Sequence, residues 1–218
     1  HHDLTISVTP ETFDLTGRDT VAIDVKSPVP SFRFHLDDDL RVRSVRSREG
    51  GRHLFFRVRN QNSVLVSMGQ LQDRVGRLNL TVDYIGRLPA GTVDSEILRV
   101  DQDIAGDEAP FFIDPALIYS KRRSFYPQMG DEDYATSTLK VTVPADWTVV
   151  SGGTRSETTV QTTRTVTHEQ SQAGKYIAFL VARLQPVAGE RAETLSFNAW
   201  SQARARRDGE RAVAWLKS

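Results

Sequence analysis

The chain contains no cysteine, which excludes disulfides, thiolate nucleophiles and every cysteine-held zinc or iron-sulfur site. The redox compartment is left open by that absence. Net charge is missing as well: 28 basic residues balance 28 acidic ones, so no overall field draws in nucleic acid or an anionic membrane surface. No apolar run is long enough to cross a bilayer as a helix. A G-x-S-x-G elbow, a Walker loop and a Rossmann fingerprint are all lacking, so nucleophilic elbows and phosphate cradles have no local support. Lysine is scarce, with five (Lys26, Lys121, Lys140, Lys175, Lys217) among the 28 basic residues, a skew to which we attach no function. What remains is the balance of a globular chain, 39% hydrophobic and 26% charged over 218 residues.

Most of the sequence alternates apolar and polar residues with period 2, as half-buried strands do. Leu4, Ile6 and Val8 alternate with polar neighbours, as do Val21, Ile23 and Val25. Phe32, Phe34 and Leu36 fall on one face and Arg33 and His35 on the other, because successive side chains of a strand point oppositely. The same rule predicts strands through Leu40, Val42 and Ser44, through Leu54, Phe56 and Val58, through Val64 and Val66, and through Leu78, Leu80, Val82 and Tyr84. Residues 89–114, rich in Gly, Pro and acid, read as a long irregular excursion, and loops of that length are usually functional or disordered. Strands resume at Leu139, Val141 and Val143, and again at Trp147 and Val149 before the Gly152-Gly153 turn. A Thr-rich hairpin is predicted over 154–169, and the apolar run 175–181 reads as a strand buried on both faces. Only 203–217 reads as helix, with Gly209 in its middle at a cost of roughly 1 kcal/mol relative to Ala.

His168-Glu169-Gln170-Ser171-Gln172 is one residue short of H-E-x-x-H, which works by putting two His on one helical face with the Glu beside a metal-bound water. Here Gln172 replaces the second His and the preceding Thr-rich stretch favours strand, so a zinc site is not expected. His35 beside Asp37, Asp38 and Asp39 lacks the Gly and distal Glu of a calcium loop and reads as a solvated turn. The Arg-rich run 204–211 is matched by Asp208 and Glu210, a wet helix face, and Asn79-Leu80-Thr81 is a sequon short enough to arise by chance. The unusual stretch is 119–130, Tyr-Ser-Lys-Arg-Arg-Ser-Phe-Tyr-Pro-Gln-Met-Gly, followed by Asp131-Glu132. The plainer reading makes it a domain corner where Arg and Tyr cover apolar surface and Pro127 fixes a turn. The functional reading makes it a binding face.

That stretch also carries a resemblance. Arg123, Tyr126-Pro127 and Asp131-Glu132, followed by a strand ending at Pro144, resemble the A-R-x-x-F-P-C-F-D-E-P region in the N-terminal domain of zinc aminopeptidases related to aminopeptidase N. Pro144-Ala-Asp-Trp147-Thr-Val-Val-Ser151-Gly-Gly153 is similar to the family's P-x-x-W-x-x-x-S-N-G strand and turn. Tyr176-Ile-Ala178-Phe-Leu-Val181 resembles its Y-L-x-A-F-x-V strand, and His2-Asp-Leu-Thr-Ile its opening strand. Order and spacing agree across nearly the whole chain. Departures mark a divergent member: Ala116 lies near where the family has a Gln or Glu that holds the substrate's amine, Gln128 follows the proline in place of Cys, Asp133 replaces the second proline, and one residue is inserted before Asp131.

The resemblance implies an all-β fold, a curved saddle-like β-sandwich of antiparallel and mixed sheets with a C-terminal helix beginning the next domain. The expected division is 1–200 as the β domain and 201–218 as the start of a truncated catalytic-type domain. The family's H-E-x-x-H, its distal Glu ligand and its G-A-M-E-N motif are absent from this sequence. The resemblance therefore implies no catalytic residue, metal or cofactor here, with zinc only in the following domain. It implies that domain as partner and, for the longer protein, a peptide substrate that loses N-terminal residues, the alternative being an inactive relative whose peptidase function has changed or been lost. Tyr119, Lys121, Arg122, Arg123, Tyr126 and Gln128 are the candidate cleft or interdomain face, with Tyr119 and Arg122 expected to be more accessible than core residues. Trp147 and Tyr176 are expected in the core. The alternative is an independent β-sandwich module for adhesion or ligand binding with no enzymatic role.

Overall fold

Period-2 alternation folds here into strands that each keep one face dry. The computed structural model describes residues 1–89, 91–92, 115–121, 123–130, 134–192 and 195–216. In chain order the strands are β1 His2–Thr9, β2 Asp14–Val25, β3 Ser31–His35, β4 Leu40–Ser47, β5 Gly51–Arg52, β6 Phe55–Val58, β7 Ser63–Ser67, β8 Gly76–Arg87 and β9 Gly91–Thr92. They continue with β10 Ala116–Tyr119, β11 Ala135–Pro144, β12 Thr148–Ser151, β13 Thr154–Val160, β14 Thr163–Gly174, β15 Phe179–Ala182, β16 Gln185–Ala192 and β17 Leu195–Ser201. One helix, α1, spans Arg206–Leu216, and 3-10 turns cover Gly69–Leu71 and Ala203–Ala205.

An eight-stranded sheet runs β13-β14-β11-β1-β2-β8-β4-β5, antiparallel at every pairing except the parallel β1-β11. A three-stranded sheet, β3-β7-β6, and a four-stranded one, β12-β15-β10-β9, complete the sandwich, and β16-β17 form a separate hairpin. One apolar cluster joins the three larger sheets: Leu4, Ile6, Val82, Val141 and Val166 from the large sheet meet Phe34, Val64 and Val66 from the second and Leu117, Tyr119, Val149, Phe179 and Val181 from the third. The all-β sandwich expected from the sequence, antiparallel and mixed, is the observed fold. Gly17 serves the packing directly, because a Cβ there would overlap the ring of Tyr84, its register partner on β8.

Local details depart from the alternation. A bulge between Val42 and Ser44 turns Val45 inward at 1% exposure, so the inward parity expected of Leu40, Val42 and Ser44 breaks within β4. On the edge strand β6 it is Phe55 that packs on the core, while Phe56 is 64% exposed and Leu54, just before the strand, 74%. The run 175–181 becomes strand only from Phe179. The Thr-rich hairpin forms as β13-β14, turning at Gln161 with φ 52°. Of the predicted excursion, Gly91–Thr92 pairs with β10, and 90 and 93–114 lie outside the described residues. Gly209 permits close contact between α1 and the hairpin: a Cβ there would stand 3.0 Å from Ser201 Cβ and 3.2 Å from Val187 Cγ2. That contact offsets the helix cost expected of a central glycine.

Candidate functional site

The stretch singled out in the sequence splits into two halves. Its first half is sealed by aromatic packing. β10 lies between β15 and β9, and its inward parity buries Tyr119 completely. The Tyr119 ring stacks on Phe179, with centroids 4.8 Å apart and planes at 17°. Phe125 packs edge-on against both, 6.0 Å from Tyr119 and 5.1 Å from Phe179. Burial raises the Tyr119 phenol well above its usual pKa, and its hydroxyl has no hydrogen-bond partner among the described residues. The expected exposure of Tyr119 is therefore corrected: it is a core residue, placed there by β10's position inside its sheet. Arg122 lies outside the described residues.

Lys121 and Arg123 lie at the exposed corner between the halves. Arg123 Nη1 is 3.6 Å from Asp39 Oδ2, and the backbone N–H of Asp37 donates to the Ser124 carbonyl at 2.8 Å. The acidic turn is thus a structural junction, as the solvated-turn reading expects. Arg57 reinforces it by donating to the carbonyls of Leu36, Asp37 and Leu40 and pairing with Asp38 at 3.3 Å. Lys121 donates to the Tyr176 hydroxyl and stands 4.3 Å from that ring's centroid, with Lys175 at 5.7 Å. Tyr176 is half-buried rather than core, because 175–178 is not strand and presents the ring to these two lysines. Trp147 meets its expectation at 2% exposure; its indole N–H donates to Glu11 Oε1 at 3.2 Å and the Arg183 guanidinium stacks 4.4 Å above the ring.

The second half forms part of the wall of a cleft of about 640 Å³. Gln128 is held by a backbone bridge to His35, and Tyr126, 4% exposed, accepts a hydrogen bond from the Ile177 N–H at 3.2 Å. Beside Tyr126 lies a pair that composition alone does not flag. His2 Nδ1 is 2.7 Å from Asp19 Oδ2, and the His2 ring meets Tyr126 edge-on at 5.3 Å. Asp19 is fully buried, its other oxygen has no partner among the described residues, and burial raises its carboxyl pKa despite His2. A signal for it was present: Asp19 shares the parity of Leu15 and Val21, so an acid faces the core.

His168 lies on β14 and not on a helix, 2% exposed. Burial lowers its pKa, aided by the Arg155 charge, and the backbone near Val149 and Gly152 offsets this only in part. Neither ring nitrogen makes a hydrogen bond of ordinary geometry among the described residues. No group of three or more His, Asp or Glu that could hold a metal occurs among the described residues, so the side chains present do not fit a zinc ion.

The sandwich defines the class: an all-β domain whose large sheet is covered by two smaller ones. Its fold matches an M1 zinc metallopeptidase from Deinococcus radiodurans with TM-score 0.65 and 20% identity over 92% of this chain and 46% of that one. A mutant of that enzyme bound to a Tyr-Ser-Ala substrate matches with TM-score 0.65 and 21% identity over the same shares. A two-domain M1 zinc metallopeptidase mutant bound to L-tryptophan matches at 0.65 and 20%, again over 92% and 46%. The chain thus spans about half the length of the structures it matches, and the resemblance read from its motifs holds at the level of fold. No protein-family model and no curated protein matches the sequence.

Proposed function

We propose that this chain is the non-catalytic N-terminal β domain of a zinc aminopeptidase-like protein. In that protein it packs on the catalytic domain and roofs its cleft. The observation that carries the reading is the fold match over 92% of the chain to 46% of a zinc metallopeptidase, with four motif resemblances in family order behind it. Residues 1–200 form the β domain, and 201–218 begin the next, with α1 seated on the β16-β17 hairpin through Gly209. Zinc and the removal of N-terminal amino acids from peptides belong to the following domain. The exposed corner at Lys121 and Arg123 faces that domain, with Gln128 beside it, while Tyr119 and Tyr126 support the corner from beneath, and Arg122, outside the described residues, is assigned to the same face by its place in the sequence. Metal analysis and an aminoacyl-reporter assay test the reading. The chain alone retains no zinc and gives no turnover, whereas the longer protein retains zinc and cleaves the reporter. Stoichiometric zinc in this chain, or turnover from it that a chelator abolishes, would sink the proposal.

A further inference from the structure

The cleft beside Tyr126 has a volume within the range of small-molecule sites, about 640 Å³. Its floor is a second apolar cluster, separate from the sandwich core, in which Val21, Met68, Leu78 and Leu80 are buried and Phe32 and Met129 pack partly exposed. The chain has two methionines, and both line this cleft. Unbranched thioether side chains adapt to irregular apolar guests. The mouth has the opposite character. Lys26, Arg33 and Lys175 line it with Asp24, and none of these three cations has an ion pair among the described residues. Tyr134, 66% exposed, adds an aromatic surface at the same mouth.

We propose that this cleft binds a free amphiphile with a single aliphatic tail and an anionic head, the tail on the Met68, Leu78, Leu80 and Met129 floor and the head among Lys26, Arg33 and Lys175. Charge complementarity commits the occupant to an anion, because among the described residues three cations and one acid line the mouth. The apolar floor selects a tail, since burying aliphatic carbon there removes apolar surface from water. This inference uses none of Lys121, Arg122 and Arg123, although Tyr126 and Gln128 of the proposed interdomain face also line the cleft.

The two methionines make the test direct. In the 218-residue chain labelled with carbon-13 at the methionine methyls, both signals report on the cleft. Titration with decanoate below its critical micelle concentration shifts both signals saturably. Decyltrimethylammonium, of the same tail and opposite charge, binds at least tenfold more weakly. Reversing Lys26→Glu and Arg33→Glu together removes that preference, while unchanged ligand-free methionine signals show that the fold is retained. Three results would overturn the proposal: neither methyl shifts with decanoate, the two amphiphiles bind equally, or the preference survives the charge reversal.

Discussion

The two halves of 119–130 each carry a buried tyrosine, but only the second half lines the open cleft. Around Tyr119 and Phe125 the aromatic rings are satisfied by one another and by Phe179, inside the molecule. Around Tyr126 and Gln128 a stretch without cations, Tyr-Pro-Gln-Met-Gly, borders an open cleft. Tyr and Arg are enriched where surfaces meet, but enrichment does not say whether the meeting is within a chain or between chains. Strand parity decides it: Leu117 and Tyr119 point inward from an interior strand that ends at Tyr119, whereas Tyr126 and Gln128 lie beyond that strand, with Gln128 bridged to His35.

Truncation should separate the halves most clearly. Phe125→Ala, which empties the centre of the aromatic cluster, should cost about 3 to 5 kcal/mol, as should Trp147→Ala in the core. Met129→Ala at the cleft wall should cost only about 1 kcal/mol, because its side chain is partly exposed already. Urea unfolding of the three variants checks the ordering, and a loss under about 1 kcal/mol for Phe125→Ala would remove the sealed half from the account.

The buried pair at the inner edge of the cleft comes next. His2→Ala leaves the Asp19 carboxylate buried without its partner and should cost about 3 kcal/mol. Adding Asp19→Asn should recover part of that loss, since the amide carries no charge to desolvate. If the double variant were no more stable than His2→Ala in chemical denaturation, the charge would not be the cause.

His168 supplies a smaller, pH-dependent effect. Its folded pKa is lowered from 6.5 by burial, so the unfolded chain takes up a proton more readily than the native one. Its contribution is fully present above pH 6.5 and is lost as pH falls through that value toward the folded pKa. Melting temperatures at pH 7.5 and pH 5 should therefore fall less for His168→Leu than for the parent chain. An equal fall in both would show that His168 is not responsible.

The smallest effect is expected at the corner. Lys121→Ala should change the stability of this chain by less than about 1 kcal/mol, because its contact with Tyr176 is solvent-exposed.

Much of the architecture was legible because alternation reports burial directly. Leu4, Ile6 and Val8, or Leu78, Leu80, Val82 and Tyr84, have only one way to keep a dry face. What escaped was non-periodic. The bulge in β4 shifts parity with no local signature, and Phe55 and Phe56 are interchangeable until the edge strand chooses one. The stretch 119–130 was visible by composition, yet its division was not, because the sealing of Tyr119 depends on Phe179, sixty residues away. The cleft was invisible for the same reason, since Met68, Leu78 and Met129 converge only in three dimensions.

Amide hydrogen exchange across 119–130, in this chain and in the longer protein with a zinc-binding domain after Ser218, tests the domain reading most directly. The account predicts that exchange around Lys121 and Arg123 slows at least tenfold in the longer protein. Phe125, already sealed by Tyr119 and Phe179, should exchange equally in both. Identical exchange around Lys121 and Arg123 in the two proteins would contradict the proposed interface and leave the segment a corner of an independent domain.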